Sequence, residues 1–211
     1  MESLEQIKVR AEAAVPGARL EIIANGSVSG QHSLLVDNEH AAAVAAFLRD
    51  DAQLRLDYAS NVTAVDWPEI TVKEPVIVKR IVDGVEKDFQ DVVEKKKGGF
   101  LEAVYHLYSM ELKHGPVVLR LRTADRAGAA RLPSLTPVWR AAEFQEREAF
   151  DLFGIVFEGH PDLRRILMWD EFKDFPMRKD YVAPDDFEYE PTPHDKVLER
   201  AKEHYPPATG G

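Results

Sequence analysis

Cysteine is absent from all 211 positions. Disulfides, thiol nucleophiles and cysteine-held zinc go with it, as do the thiolates that hold iron–sulfur clusters. Long apolar runs are missing too. The longest, "AAAVAAFL" at residues 41–48, falls far short of the ~20 residues that a membrane-spanning helix needs. The opening "MESLEQIKVR" is acidic and carries no apolar stretch, unlike a secretory leader or an arginine-rich transit peptide. A cytoplasmic location is the expectation.

A net positive charge is lacking, since 37 Asp and Glu outnumber 27 Lys and Arg. A formal net charge of -10 argues against nucleic acid as the main partner, because phosphate binding needs a basic footprint. Several catalytic signatures are also lacking. No "GxxxxGK[ST]" or "GxGxxG" loop offers a phosphate cradle, no "HExxH" suggests a metalloprotease, and no "GxSxG" forms a serine elbow. His106 and His114 fall on an expected hairpin and its turn, without the short spacing of metal ligands.

What remains is an ordinary globular composition, 45% hydrophobic. Ser3 and Gln6 have the spacing of a capping box, and Leu4, Ile7, Ala11 and Ala14 recur at helical intervals, predicting a helix over 3–15. Two strands follow, joined at Asn25-Gly26 or by a longer loop near Gly30. A second, alanine-rich helix is expected from Glu39 to Arg49. Alternating segments then predict one or two strands up to Trp67, a hairpin around Asp83-Gly84, a lysine-bearing loop over 94–99, and a long hairpin across "KHGP". This is an α+β pattern: a compact domain over 1–130 with a mainly antiparallel sheet and two helices, one sheet face covered and the other partly wetted.

Beyond Arg131 the character changes. Pro133 and Pro137 interrupt the strand pattern, and a helix is predicted over 138–153, closed by Gly154. A segment to about residue 182 follows, and then an acidic, proline-rich tail over 183–211.

Chemistry concentrates in "EREAFDLFGIVFEGHPDLRRILMW", residues 146–169. At 100° per residue, Trp139, Ala142, Glu146, Ala149, Phe150 and Phe153 share one helix face, which sets Glu146 inside an apolar stripe. A carboxylate there needs a partner, and Arg147, Arg164, Arg165, Arg178 and Lys179 are the candidates. Glu143 and Glu146 admit two readings, a general acid/base pair or anchors for ion pairs; the second is preferred, because ion-pair networks also collect carboxylates. His160, beside Pro161, is read as positional rather than as a proton shuttle. Leu163, Ile166, Leu167, Met168 and Trp169, interleaved with arginines, have the composition of an interface or of a plug on the chain's own sheet.

The residues also carry a resemblance. "EREAFDLFGI" (146–155), "GHPDLRRIL" (159–167), "RKDY" (178–181) and, less specifically, "VYHLYS" (104–109) closely resemble the C subunit of proton-pumping NADH:quinone oxidoreductase, respiratory complex I, equivalent to the mitochondrial iron–sulfur protein 3 subunit. The chain departs from that family in reading "KDFPMRKDY" where a glycine and histidine usually precede the proline, and in a longer stretch over 68–99. The resemblance implies a hydrophilic-arm subunit on the cytoplasmic or matrix side, part of a hetero-oligomer, without a cofactor of its own. FMN, iron–sulfur clusters, NADH and quinone would sit in other subunits, and the D and B subunits, which form the quinone pocket, would be neighbours.

On that reading Glu143, Glu146, Arg147, Asp151, His160, Asp162, Arg164, Arg165, Arg178, Lys179 and Asp180 serve as interface or structural ion pairs. The segment from Gly159 onward lies across a partner. The equivalent subunit of a membrane-bound hydrogenase or ferredoxin-using complex is the alternative within the class. A free-standing acid/base hydrolase using Glu143 and Glu146 is the alternative outside it, and a small RNA-binding domain is disfavoured by charge.

Overall fold

The computed structural model describes residues 2–28, 30–82, 85–126 and 130–182. Helix α1 spans Leu4–Ala14. Its capping box is complete: Gln6 N–H donates to Ser3 Oγ and Ser3 N–H to Gln6 Oε1. Strands β1 (Leu20–Ile23) and β2 (Ser33–Val36) pair antiparallel across a loop over 24–32 rather than a two-residue turn. Asn25 explains the difference. Its side chain accepts from Ser27 N–H at 2.9 Å and its own N–H donates to His32 Nδ1 at 3.0 Å, a bonding pattern that opens the turn. Helix α2 follows at Ala41–Asp50.

Strand β3, Tyr58–Trp67, is a single strand with a bulge between Ala59 and Asn61. Strands β6 (Phe100–Ser109) and β7 (His114–Arg122) form the long hairpin. Together these five strands make a sheet in the order β1-β2-β7-β6-β3, antiparallel except where β2 meets β7. Its alternate residues Leu34, Ala59, Leu101, Tyr105, Leu119 and Leu121 share one core with Ile7 and Ala11 of α1 and Val44 and Leu48 of α2. Helices therefore cover one face, and hydrophobic burial there is the main favourable contribution to folding.

Between β3 and β6 the chain makes a separate ribbon, β4 (Ile70–Val82) paired with β5 (Val85–Lys97) from Ile70↔Lys97 to Val82↔Val85. The expected Asp83-Gly84 turn lies outside the described residues. The lysines at 95–97 belong to β5, not to a loop. Their register partners are Val72, Thr71 and Ile70, and as exposed strand residues they can keep their charged heads in water.

Residues 131–133, expected as a break, form a short strand β8 (Arg131–Pro133) parallel to β9 (Val156–Glu158). Pro133 ends the strand, and the ladder continues through Ser134 N–H to Glu158 O. Helix α3 covers Ala142–Phe153 and begins later than its periodicity suggests, because Leu135 O accepts from both Val138 and Trp139 N–H in a preceding turn. Trp139 is still buried, with Nε1–H donating to Leu56 O at 2.7 Å. Leu132, Leu135, Ala142, Ala149, Ile155 and Phe157 join the same core as the first helices, and Met1–Lys179 constitute one unit. A second unit begins at Asp180. The acidic tail over 183–211 lies outside the described residues.

Candidate functional site

Helix α3 grips the dense segment with both polarities of side chain. Arg147 and Asp151 stand one turn apart on one face. Arg147, buried, donates through Nε to Arg164 O (3.2 Å) and through a terminal nitrogen to Arg165 O (3.3 Å). Fully buried Asp151 accepts at Oδ2 from the backbone N–H groups of Ile166 (2.9 Å), Leu167 (2.7 Å) and Met168 (2.9 Å). Its Oδ1 accepts from Arg165 at 2.6 Å. Burial pushes this carboxyl upward, but the three amides and the guanidinium outweigh it and hold it below the ordinary aspartate value. Residues 164–168 are thereby clamped carbonyl by carbonyl and amide by amide.

Glu146 behaves differently from expectation. No arginine reaches it among the described residues. Tyr105 O–H (2.9 Å) and Leu135 N–H (2.9 Å) donate to Oε1, and Ser134 O–H donates to Oε2 at 2.6 Å. Burial is the larger influence and raises its pKa despite these donors; it raises Tyr105 as well. The helix face that buries Glu146 lies on the sheet, with α3 packed against β3 and Tyr105 reaching Glu146 from the neighbouring strand β6, while the arginines gather on the face that carries Arg147 and Asp151. Glu146 therefore pins α3 to β6 and to the turn after β8.

A second clamp was not legible in the motif. Buried Asp66, at the end of β3, takes both Arg126 nitrogens (2.6 and 2.7 Å) and accepts Lys179 N–H at 2.8 Å. Burial raises this carboxyl, but Arg126 and the Lys179 amide lower it further, to a net position below the ordinary value. Arg178 donates to Phe153 O (2.6 Å) and Arg126 O (3.0 Å) and stacks on Phe175, 4.6 Å from the ring centroid. Gly154, at φ +78°, closes α3 and leaves the space that Phe175 and Arg178 fill, since a Cβ would lie 2.6 Å from the Phe175 ring. Arg178→Lys is expected to cost about 1–2 kcal/mol in urea unfolding, because an ammonium cannot span both carbonyls and stack. An unchanged midpoint would contradict this.

The other expected residues lie around these clamps. His160 donates from Nε2 to Glu143 O (2.9 Å) and accepts Asp162 N–H at Nδ1 (3.0 Å), which fixes the turn. Asp162 pairs with exposed Arg164 at 2.9 Å. Arg165 points inward to Asp151 and Asp174 O rather than outward. Glu143 lies 3.6 Å from exposed Arg140 and lines a depression of about 290 Å³ with Thr136, Pro137, Gly159 and Pro161, a space Glu146 does not reach. The two carboxylates thus do not converge as acid/base chemistry requires. Asp180 is exposed, at the start of the second unit.

Sequence reasoning missed Ser134, Tyr105, Asp66 and Arg126 as partners. Only Asp66, an acid in a strand otherwise bound for the core, gave a signal. Among the described residues, Asp37, Glu39 and His40 could bring ligand atoms within 4.8 Å of one another. Asp37 Oδ1 already accepts from His40 N–H and meets His40 Nδ1 at 2.6 Å, the bonding of a turn into α2.

With its backbone clamped, the segment turns apolar side chains to solvent. Leu167 is 62% exposed and Trp169 49%, with Ile166 next to them in sequence and Met177 exposed further along. Fold and site together define an α+β domain that uses its buried charges to fix an irregular, bent, apolar-bearing segment on its own surface. Residues 34–187 match the family described as respiratory-chain NADH dehydrogenase, 30 kDa subunit, and the chain belongs to that family. A C subunit of NADH-quinone oxidoreductase from Rhizobium meliloti is 35% identical over 157 residues, 74% of this chain and 69% of that protein. The C subunit from Roseiflexus castenholzii is 35% identical over 174 residues, covering 82% and 81%. Its counterpart from Hyphomonas neptunium is 35% identical over 159 residues, 75% of this chain and 63% of that protein. No described helix is long and apolar enough to cross a membrane.

Proposed function

We propose that the chain is a non-catalytic, hydrophilic-arm subunit of proton-translocating NADH:quinone oxidoreductase, peripheral to the membrane on its cytoplasmic side. Hydride oxidation at FMN, electron transfer along iron–sulfur clusters and quinone reduction belong to other chains, and the D and B subunits are the neighbours this surface serves. The observation that carries the reading is the Arg147–Asp151 clamp. A buried carboxylate on three successive amides rigidifies a backbone whose Leu167 and Trp169 face outward, so their apolar surface is displayed at little further entropic cost on binding. The exposed apolar and aromatic mixture suits an interface core.

Leu167→Asp tests this. The side chain is exposed, so the isolated full-length chain is expected to melt as the wild type does. Recovery of this subunit with the complex from native membranes should fall about tenfold, the loss of one well-packed anchor. NADH oxidation per flavin in the electron-input part should not change. Undiminished recovery, or substrate turnover by the isolated chain, would refute the proposal.

A further inference from the structure

Between the Asp151 and Asp66 clamps runs a series of ring and cation contacts, none of them a bond to either carboxylate. The Arg165 guanidinium, fixed by Asp151, lies 5.6 Å from the Phe172 ring centroid and 5.5 Å from that of Phe175. Arg178 lies 4.6 Å from the same Phe175 ring and binds Phe153 O and Arg126 O. The next residue, Lys179, gives its N–H to Asp66 and holds its ammonium 5.7 Å from the Trp67 ring. At the other end Trp169 meets Phe172 edge-on, with centroids 4.7 Å apart. Trp169, Phe172, Arg165, Phe175 and Arg178 thus make one stack from the solvent-facing side of the segment to the Asp66 clamp.

Phe175 is the joint. It is only partly buried and does not belong to the main core. Its ring packs on Gly154, where a Cβ would lie 2.6 Å away. Two guanidiniums share this ring although like charges repel, so each needs an anchor of its own. Asp151 anchors Arg165, and the two carbonyls anchor Arg178. Release of either arginine takes a cation from the ring and frees the ring to leave the other. Two contacts along the segment work against such coupling. Phe172 is buried, and Met177 N–H bonds Leu152 O at 3.1 Å. Were these decisive, the two clamps would open independently.

We propose that residues 164–179 form one latch with two ends, joined at Phe175, so that the Asp66 end governs how firmly Leu167 and Trp169 are presented. Its two states are the segment closed on α3 and the segment lifted from it, and both carboxylates bias that single equilibrium. Such coupling is reciprocal. The latch is a property of this chain. That it regulates partner binding rests on the reading of Leu167 and Trp169 as docking residues.

Hydrogen exchange on the isolated full-length chain tests the latch. Asp66→Asn keeps an acceptor for Lys179 N–H but removes the charge facing Arg126. It is expected to lower protection of the 166–168 amides about tenfold, equivalent to ~1.4 kcal/mol, while β6 and β7 keep theirs. Asp151→Asn should lower protection of the Lys179 amide by a similar factor. Phe175→Leu keeps apolar bulk on Gly154 but offers no π face, and in that background both effects should shrink to about twofold or less, the scatter of independent sites. Amides of 166–168 unmoved by Asp66→Asn, or moved equally with and without the ring, overturn the proposal. The two carboxylate variants decide it even if Phe175→Leu proves unstable, since independent clamps leave each other's amides unchanged. Failure of the chain to co-purify with the complex would remove the docking role without altering these exchange rates, so the two readings fail separately.

Discussion

Asp151→Ala is expected to destabilise closure of the segment around residues 164–168 by about 3–5 kcal/mol, the cost of removing one partner from a buried ion pair. The substitution strands largely buried Arg165 without its anion and leaves the amides of Ile166, Leu167 and Met168 without an acceptor. Domains are stable by only about 5–15 kcal/mol, so a large part of the margin is at stake. The core beneath the five-stranded sheet does not include these residues, and the main body should stay folded. Hydrogen exchange reads the result directly: the amides of 166–168 should lose protection while those of β6 and β7 keep theirs. Equal protection at 166–168 in variant and wild type would show that the carboxylate does not hold the segment.

The same clamp sets a direction with pH. Folded Asp151 and Asp66 both lie below the ordinary aspartate value of 3.8. Their stabilisation is therefore fully present above that value and is lost as pH falls through the folded pKa values. Acid should release the 164–179 segment, and Asp151→Ala should blunt that dependence.

Glu146 is expected to show the opposite sign. Its folded pKa is raised above 4.5, so the folded state favours the protonated acid, and this contribution is lost as pH rises through the folded value. Protonated Oε2 can donate to Ser134 Oγ, whose own hydrogen turns to Thr136 Oγ1 at 2.8 Å. Glu146→Gln keeps an acceptor for Tyr105 and Leu135 without the charge. It should match the wild type near pH 4 and be the more stable of the two near pH 8. Glu146→Ala instead orphans Tyr105 O–H and Leu135 N–H and opens a cavity beneath α3, an expected loss of about 3–5 kcal/mol at either pH. Urea unfolding of the three proteins across this range decides it. A glutamine variant less stable than wild type at pH 8 would mean that the ionised carboxylate is the form the fold requires.

Much of the architecture is local enough to read directly. The Ser3–Gln6 box starts α1, Gly154 ends α3, and the alternation around Val104–Ser109 marks strand β6, because each depends on residues within a turn or a strand of one another. Of the two readings at Asn25-Gly26, the longer loop holds, and what decided it is His32, seven residues on, which takes the Asn25 N–H. The strand at 131–133 was hidden because its pairing comes from β9, across α3.

By itself, the sequence determined the α+β class, the absence of thiol chemistry and the family motif, all of which follow from composition, periodicity and contiguous pattern. Tertiary structure alone decided which charges meet. Five arginines and lysines stood as candidates for Glu146, yet its donors are Tyr105, Ser134 and the Leu135 amide, 41, 12 and 11 residues away, whereas Asp151 takes Arg165 and Asp66 takes Arg126. A charged side chain has many partners within reach in an unfolded chain. Only the packing of α3 on β3 beside Tyr105, and of the clamped segment on α3, leaves each of these buried carboxylates its set of donors.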